Sequence, residues 1–240
     1  MEDSRLMKAL PLFLTLFCLS TLITASNAQE TEKPTTDDVL VKRLLAEDLG
    51  IRTFHFSQVV ESSTGHKVLP FDTEHIAHKT VLAAIQKSIK ESIVTLNQAD
   101  SPIKKLRRIN EASRFFEDLL LEKLAAHPDL TCEVPKNRQG KAQRSGYPDL
   151  RIVHTATKTI FYLDPKLFEN KSRSSSLRTF YYEPKTRTMK IQDDATHLLL
   201  GISHDGVDGN WTFLNWELVD LSKFKVRLKA EFQASNKDLY

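Results

Sequence analysis

The spacing of apolar residues changes several times along this chain, and each change predicts an element. Ala9 to Ile23 is almost continuously apolar, follows Arg5 and Lys8, and closes on Ala25-Ser26-Asn27-Ala28. A basic start, an apolar middle and a small-residue end form the pattern of a secretory leader, so residues 1–28 are expected to be a signal peptide cut after Ala28. At about 15 residues the run is shorter than the ~20 a spanning helix needs, and Pro11 interrupts its first turn. No stable membrane anchor is therefore expected after cleavage, and the mature protein is expected to be secreted or periplasmic. Polar residues dominate 29–38, which predicts a flexible linker.

A single domain is expected over 39–240, its helical part at 73–127 and its sheet core at 130–240. Val39, Val41, Leu44, Leu45 and Leu49 suggest a short helix, and Thr53 to Val60 alternates as a strand does. From Thr73 to Leu96 apolar residues recur at intervals of three and four (Ile76, Val81, Leu82, Ile85, Ile89, Ile93), which predicts a helix with one buried stripe. Ser101-Pro102 has the residue types that open a second helix, expected to run to Ala126 before His127-Pro128 stops it. Its core face would carry Leu106, Ile109, Phe116, Leu119, Leu120 and Leu124.

After Pro128 the period becomes two. Strands are expected at Leu130 to Val134, Tyr147 to His154 and Lys158 to Phe168, the last two joined as a hairpin. A basic, Gly- and Ser-containing loop separates the first two, from Asn137 to Gly146. Further strands are expected at Leu177 to Tyr182, His197 to His204, Trp211 to Val219 and Phe224 to Phe232. Helices first and strands later predict an α+β, or mixed α/β, domain.

Charge adds little to this picture. The chain has 34 Lys and Arg against 31 Asp and Glu, a net charge of +3, and the leader carries equal numbers of each sign. A mildly basic balance permits contact with a polyanion without demanding it. The leader also holds Cys18, so Cys132 would stand alone in the mature chain with no intramolecular disulfide possible, and its apolar setting suits a small buried hydrophobe.

The chemistry lies on the expected hairpin. Tyr147-Pro148-Asp149 is followed by Asp164-Pro165-Lys166. Alternation points Asp164 and Lys166 to one face, and hairpin pairing can bring Asp149 beside them. Two carboxylates in close company are unfavourable unless a cation sits between them, and hard oxygen ligands suit Mg²⁺ or Mn²⁺. Such an ion would activate water against a phosphodiester, with Lys166 orienting the water or stabilising developing charge. Pro128-Asp129 repeats the first two letters but ends a helix, so it is set aside. Pro165 cannot donate to a ladder, which predicts an edge or a bulge at that point.

This arrangement resembles the signature of the PD-(D/E)xK, or restriction-endonuclease-like, nucleases. The resemblance implies a mixed central sheet flanked by helices, a Mg²⁺ or Mn²⁺ cofactor, and nucleic acid as partner, DNA before RNA. It also implies an acid on the helix before the first core strand. Phe116-Glu117-Asp118-Leu119-Leu120 fits that place, making Glu117 the third candidate ligand beside Asp149 and Asp164. Arg107, Arg108, Lys141, Arg144 and Arg178 are candidates for nucleic-acid contacts, together with the neighbouring Lys104, Lys105, Lys136 and Arg138.

Plainer readings stand beside these. Asp149 would also serve as a turn cap paired with Arg151, and Asp164 with Lys166 as a solvated surface pair. Glu117 shares its helix with Glu111, Asp118 and Glu122, an acidic face of a kind that is commonly only solvated. A catalytically inactive binding or structural protein of the same fold is the competing function. A hydrolase built on His197 or His204 is a third, although no nucleophile at a recognisable spacing accompanies them.

Overall fold

The structure is a computed structural model that describes residues 35–47, 49–176, 179–229 and 234–239. The expected leader, its cleavage point, most of the linker, and Arg178 lie outside the described residues. Two compact units divide at Glu47 and Asp48. In the first, α1 (Thr36–Ala46) begins within the stretch expected to be linker, because Thr35 and Asp38 form a capping box. Thr35 Oγ1 accepts from the Asp38 amide at 3.1 Å and Asp38 Oδ2 accepts from the Thr35 amide at 2.9 Å, satisfying two donors at the helix start.

The second unit is built on a mixed sheet of six strands. β2 (Val68–Leu69), β6 (Ala195–His204), β5 (Ile160–Glu169), β4 (Leu150–His154) and β3 (Leu130–Glu133) lie in that spatial order, and β7 (Phe213–Asp220) also pairs with β6. β5 and β6 run parallel over nine pairs, whereas β3, β4 and β5 form an antiparallel meander. Alternation gives the sheet two apolar faces. Leu150, Ile152, Phe161, Leu163, Leu198, Leu200 and Ile202 face α3 (Ile76–Leu96) and α4 (Ile109–Ala125), whose Val81, Ile85, Ile89, Phe116, Leu120 and Leu124 complete the main core. Each large side chain buried there contributes roughly 1.5–3 kcal/mol. Tyr162, Ala195 and Leu199 face the other way, toward α2 (Phe56–Thr64), Met189, Ile191 and Leu221. A central mixed sheet flanked by helices is the expected fold class. No helix among the described residues is long and apolar enough to cross a membrane.

Four expected elements differ. The strand over Thr53–Val60 shrinks to β1 (Thr53–His55), which pairs with β8 (Lys225–Arg227), and the chain then turns into α2. Phe56 and Val60, four residues apart, are both buried on one helical stripe, and Gly65 at φ 81° closes the helix. The helix expected from Ser101 is broken. Pro102–Lys105 forms a short 3₁₀ turn, and α4 starts afresh at Ile109. Trp211 explains the break, since its indole Nε1 donates to the Leu106 carbonyl at 3.0 Å and its own carbonyl accepts from Lys104 Nζ at 2.6 Å. The expected strand at Leu177–Tyr182 is irregular over its described part, where Phe180 and Tyr182 are held by edge-on contacts with Phe56 instead of a ladder. The strand expected from Phe224 to Phe232 is described only as β8.

Candidate active site

Register decides which charges meet. In the β4–β5 ladder the last pair is Leu150 with Leu163, so the next step sets Asp149 opposite Asp164. Beyond Leu163, β5 keeps β6 as its ladder neighbour while β4 has ended. Pro165 therefore sits where β5 has lost one neighbour, and the β5–β6 register runs through it without a bulge. The missing N–H of proline is tolerated there because one edge is open.

Asp149 is fixed from behind by Tyr147. The Tyr147 hydroxyl hydrogen-bonds His197 Nδ1 at 2.7 Å, the two rings stack with centroids 5.8 Å apart, and Phe56 and Phe180 meet the tyrosine edge-on. This aromatic block pins the entry to β4, so the carboxylate two residues later is set against β5.

The three charged groups of the hairpin converge on one ammonium. Lys166 Nζ lies 2.6 Å from Asp164 Oδ2 and 3.3 Å from Asp149 Oδ2. Asp164 is 1 % exposed, and Lys166 forms a close ion pair with its Oδ2. Among the described residues no hydrogen-bond donor reaches Oδ1. Burial and the neighbouring Asp149 raise its pKa well above the usual carboxylate range, against the opposing pull of Lys166. Burial also penalises the Lys166 charge, but Asp164 and Asp149 outweigh it and hold that pKa above its ordinary value.

Glu117 stands beside this group on α4. Its pKa is raised by burial and by Asp149, and Arg144 Nη1 lies 3.7 Å from its Oε2. The same guanidinium lies 2.7 Å from Asp118 Oδ1. Among the described residues no three His, Cys, Asp or Glu side chains form a preformed metal cage, so Asp149 and Asp164 are a two-carboxylate set with Glu117 in their electrostatic neighbourhood. Of the basic candidates, Arg144 faces these acids, while Arg107, Arg108 and Lys141 are exposed. Lys104 is engaged with Trp211 and Thr212.

The two histidines have structural surroundings. His197 is fully buried and neutral, its pKa pushed down to about 3 by burial. His204 is buried, accepts from the Gly206 amide at 3.1 Å and packs edge-on against Trp211. Cys132 is inert as a nucleophile, since burial pushes its thiol up to about 12.

Lys190 is the residue that pattern reading missed. It is 1 % exposed, donates to the Gln143 carbonyl at 3.1 Å, and lies in the field of Asp149, Asp164 and Glu117. Burial pulls its pKa down to about 8, against those three acids. Flanked by Met189 and Ile191, it has the sequence appearance of a solvent-facing alternation. The segment is irregular instead, and all three side chains are buried. A cavity of about 320 Å³ opens alongside, with Tyr147, Tyr182 and Met189 in its wall.

Comparison with known proteins agrees with this geometry in extent. The family model described as the type II restriction enzyme MjaV family matches residues 49–240. The type II restriction enzyme MjaV of Methanocaldococcus jannaschii is 28 % identical over 200 residues, covering 79 % of this chain and 86 % of that protein. The matched span holds the whole sheet, both flanking helices and every charged group of the site, and on it the chain belongs to the MjaV type II restriction enzyme family.

Proposed function

We propose that this protein is a metal-dependent deoxyribonuclease that hydrolyses phosphodiester bonds at the Asp149–Asp164–Lys166 cluster. The observation that carries the reading is Asp164, a buried carboxylate with Lys166 against one oxygen, no hydrogen-bond donor among the described residues on the other, and a second carboxylate beside it. Buried polar groups are ordinarily paired, and one left open at a cluster of perturbed acids fits a site awaiting a cation. Family membership and the relative's description as a restriction enzyme support DNA as the substrate.

The donor set suits Mg²⁺ or Mn²⁺. Such ions take hard oxygens, and Mg²⁺ commonly uses one or two carboxylates while keeping several waters, so no third protein ligand is required. Asp149 and Asp164 would hold the ion, with Glu117 close enough to reinforce the negative field. When bound, the ion supplies Lewis acidity toward a phosphodiester oxygen and lowers the pKa of water.

The remaining work falls to the chain's own groups. Lys166 keeps its proton because both acids favour it, so its ammonium is a donor for the oxygens on which charge develops as water attacks phosphorus and a P–O bond breaks. Its short tether to β5 and its contacts with both carboxylates fix the geometry before substrate arrives. Arg107, Arg108 and Lys141, all exposed, would contribute sequence-independent phosphate contacts.

Plasmid cleavage by the purified chain, with Mg²⁺ and with EDTA, tests the reading. Cleavage is expected only with the metal, and Lys166→Ala or Asp164→Asn is expected to lower it by about 10²-fold or more, the scale of a positioned catalytic group. Undiminished cleavage in both folded variants would falsify the assignment, and no cleavage by the wild-type chain on any DNA would favour an inactive binding protein.

A further inference from the structure

Lys190 is fully enclosed, yet its environment is not that of an ordinary ion pair. A lysine buried to 1 % exposure normally has a carboxylate at hydrogen-bond distance. Here, among the described residues, its ammonium donates to one acceptor, the Gln143 carbonyl at 3.1 Å. Its compensation comes through space from three acids at once, Asp149 foremost, then Asp164 and Glu117, with Lys166 opposing.

The Gln143 carbonyl belongs to the loop between β3 and β4, and that loop is fastened to the Lys190 segment at three points. Besides Lys190, the Arg138 amide donates to the Met189 carbonyl at 3.1 Å, and Gln192 Nε2 donates to the Lys136 carbonyl at 2.7 Å. The next residue in the loop is Arg144, which faces Glu117 and Asp118 on α4. Lys190 is thus joined to the acids twice, by charge and by the loop it holds.

We propose that Lys190 is a positioning residue of the acid cluster: its buried charge compensates Asp149, Asp164 and Glu117, and its N–H fixes the Gln143 carbonyl so that Arg144 lies over Glu117. Acids confined together disfavour one another's charge; Lys166 lies against Asp149 and Asp164, and Arg144 near Glu117. Lys190 supplies a second internal cation that no substrate reaches while the loop is in place. The inference builds on the acid cluster of the proposed nuclease, but its first test needs neither metal nor DNA.

That test is a double-mutant cycle in EDTA at pH 7, with melting temperature as the readout. Lys190→Gln removes the charge and keeps a donor for the Gln143 carbonyl, and Asp149→Asn removes its strongest charge partner. The cycle is expected to be non-additive: Lys190→Gln should cost a few degrees more in the Asp149 chain than in the Asp149→Asn chain, roughly 2–4 °C per kcal/mol of coupling. A packing role alone predicts additivity, and additivity within about 1 °C overturns the proposal. Should Lys190→Gln fail to fold, Lys190→Met replaces it, because the lost tether is common to both backgrounds and cancels.

A second measurement fixes the sign. A buried cation near a metal site opposes metal binding, so Lys190→Gln is expected to bind Mn²⁺ about threefold or more tightly than wild type, and unchanged or weaker binding contradicts the proposal. If the wild-type chain binds no Mn²⁺, the metal-dependent reading of the site fails while the metal-free cycle still decides the role of Lys190.

Discussion

Two positions of the β4–β5 pairing carry charge, with Leu150 opposite Leu163 between them, and they are wired in opposite ways. At the first, Arg151 lies opposite Tyr162. Arg151 grips Asp193 with two hydrogen bonds, Nε to Oδ2 at 2.8 Å and Nη2 to Oδ1 at 3.2 Å, and lies 3.2 Å from Glu133 as well. The Tyr162 hydroxyl donates to Asp193 at 2.8 Å and accepts from the Gln192 amide at 3.1 Å. Burial works against the Asp193 charge, but the bonds from Arg151 and Tyr162 prevail and hold its pKa below the usual value. Two steps along, Asp164 has Lys166 against Oδ2 and no donor among the described residues on Oδ1, sits beside Asp149, and has its pKa driven the other way.

On the proposed reading, the contrast separates a charge that holds a fold together from one placed for a ligand. Both positions lie on the same pair of strands, so strand placement does not distinguish them. Satisfaction does: the Arg151 network closes on itself, whereas Asp164 Oδ1 has no donor among the described residues.

Breaking the closed network should have the larger effect on stability. Arg151→Met leaves Asp193 half-buried with its bidentate partner gone, and is expected to cost about 2 kcal/mol in urea unfolding while leaving metal binding unchanged. A cost below about 0.5 kcal/mol would mean that the network contributes little and that the contrast is one of appearance.

The open cluster should respond with the opposite sign. The folded-state pKa of Asp164 is raised, so its ionised form is disfavoured by the fold. That penalty is absent below the unfolded value of 3.8, grows as pH rises toward the folded value of about 8, and is complete above it. Asp164→Asn is therefore expected to raise the melting temperature of the metal-free protein by a few degrees near pH 9, on the order of 1 kcal/mol, and to give no gain near pH 4. A loss of stability at both pH values would show that Asp164 is an ordinary structural ion pair with Lys166.

Much of this was legible in the sequence, and the failures have physical causes. Helix α3 and strands β3 to β7 follow from periodicity, because long stripes and alternating runs leave few alternatives. The Asp149, Asp164 and Lys166 grouping was legible because hairpin pairing and period-two alternation are local rules. Contacts across the chain were hidden: Trp211 breaks the helix at Leu106 from more than a hundred residues away, and Phe56 gathers Phe180 and Tyr182 without any ladder. Lys190 was hidden for the same reason, since its burial is imposed by a loop joined through Gln143 and by acids on three other segments. Arg144 was read as a phosphate contact from its basic neighbours, and its facing Glu117 and Asp118 depends on how the loop folds over α4.

The central claim is that Asp149 and Asp164 together hold one divalent ion. Calorimetric titration of Mn²⁺ into the metal-free chain at pH 8 tests it without reference to any DNA sequence. One ion per chain is expected, binding more tightly as pH rises because Asp164 must give up its proton, with affinity at least about tenfold weaker in Asp164→Asn. Equal Mn²⁺ affinity in wild type and Asp164→Asn would contradict the account.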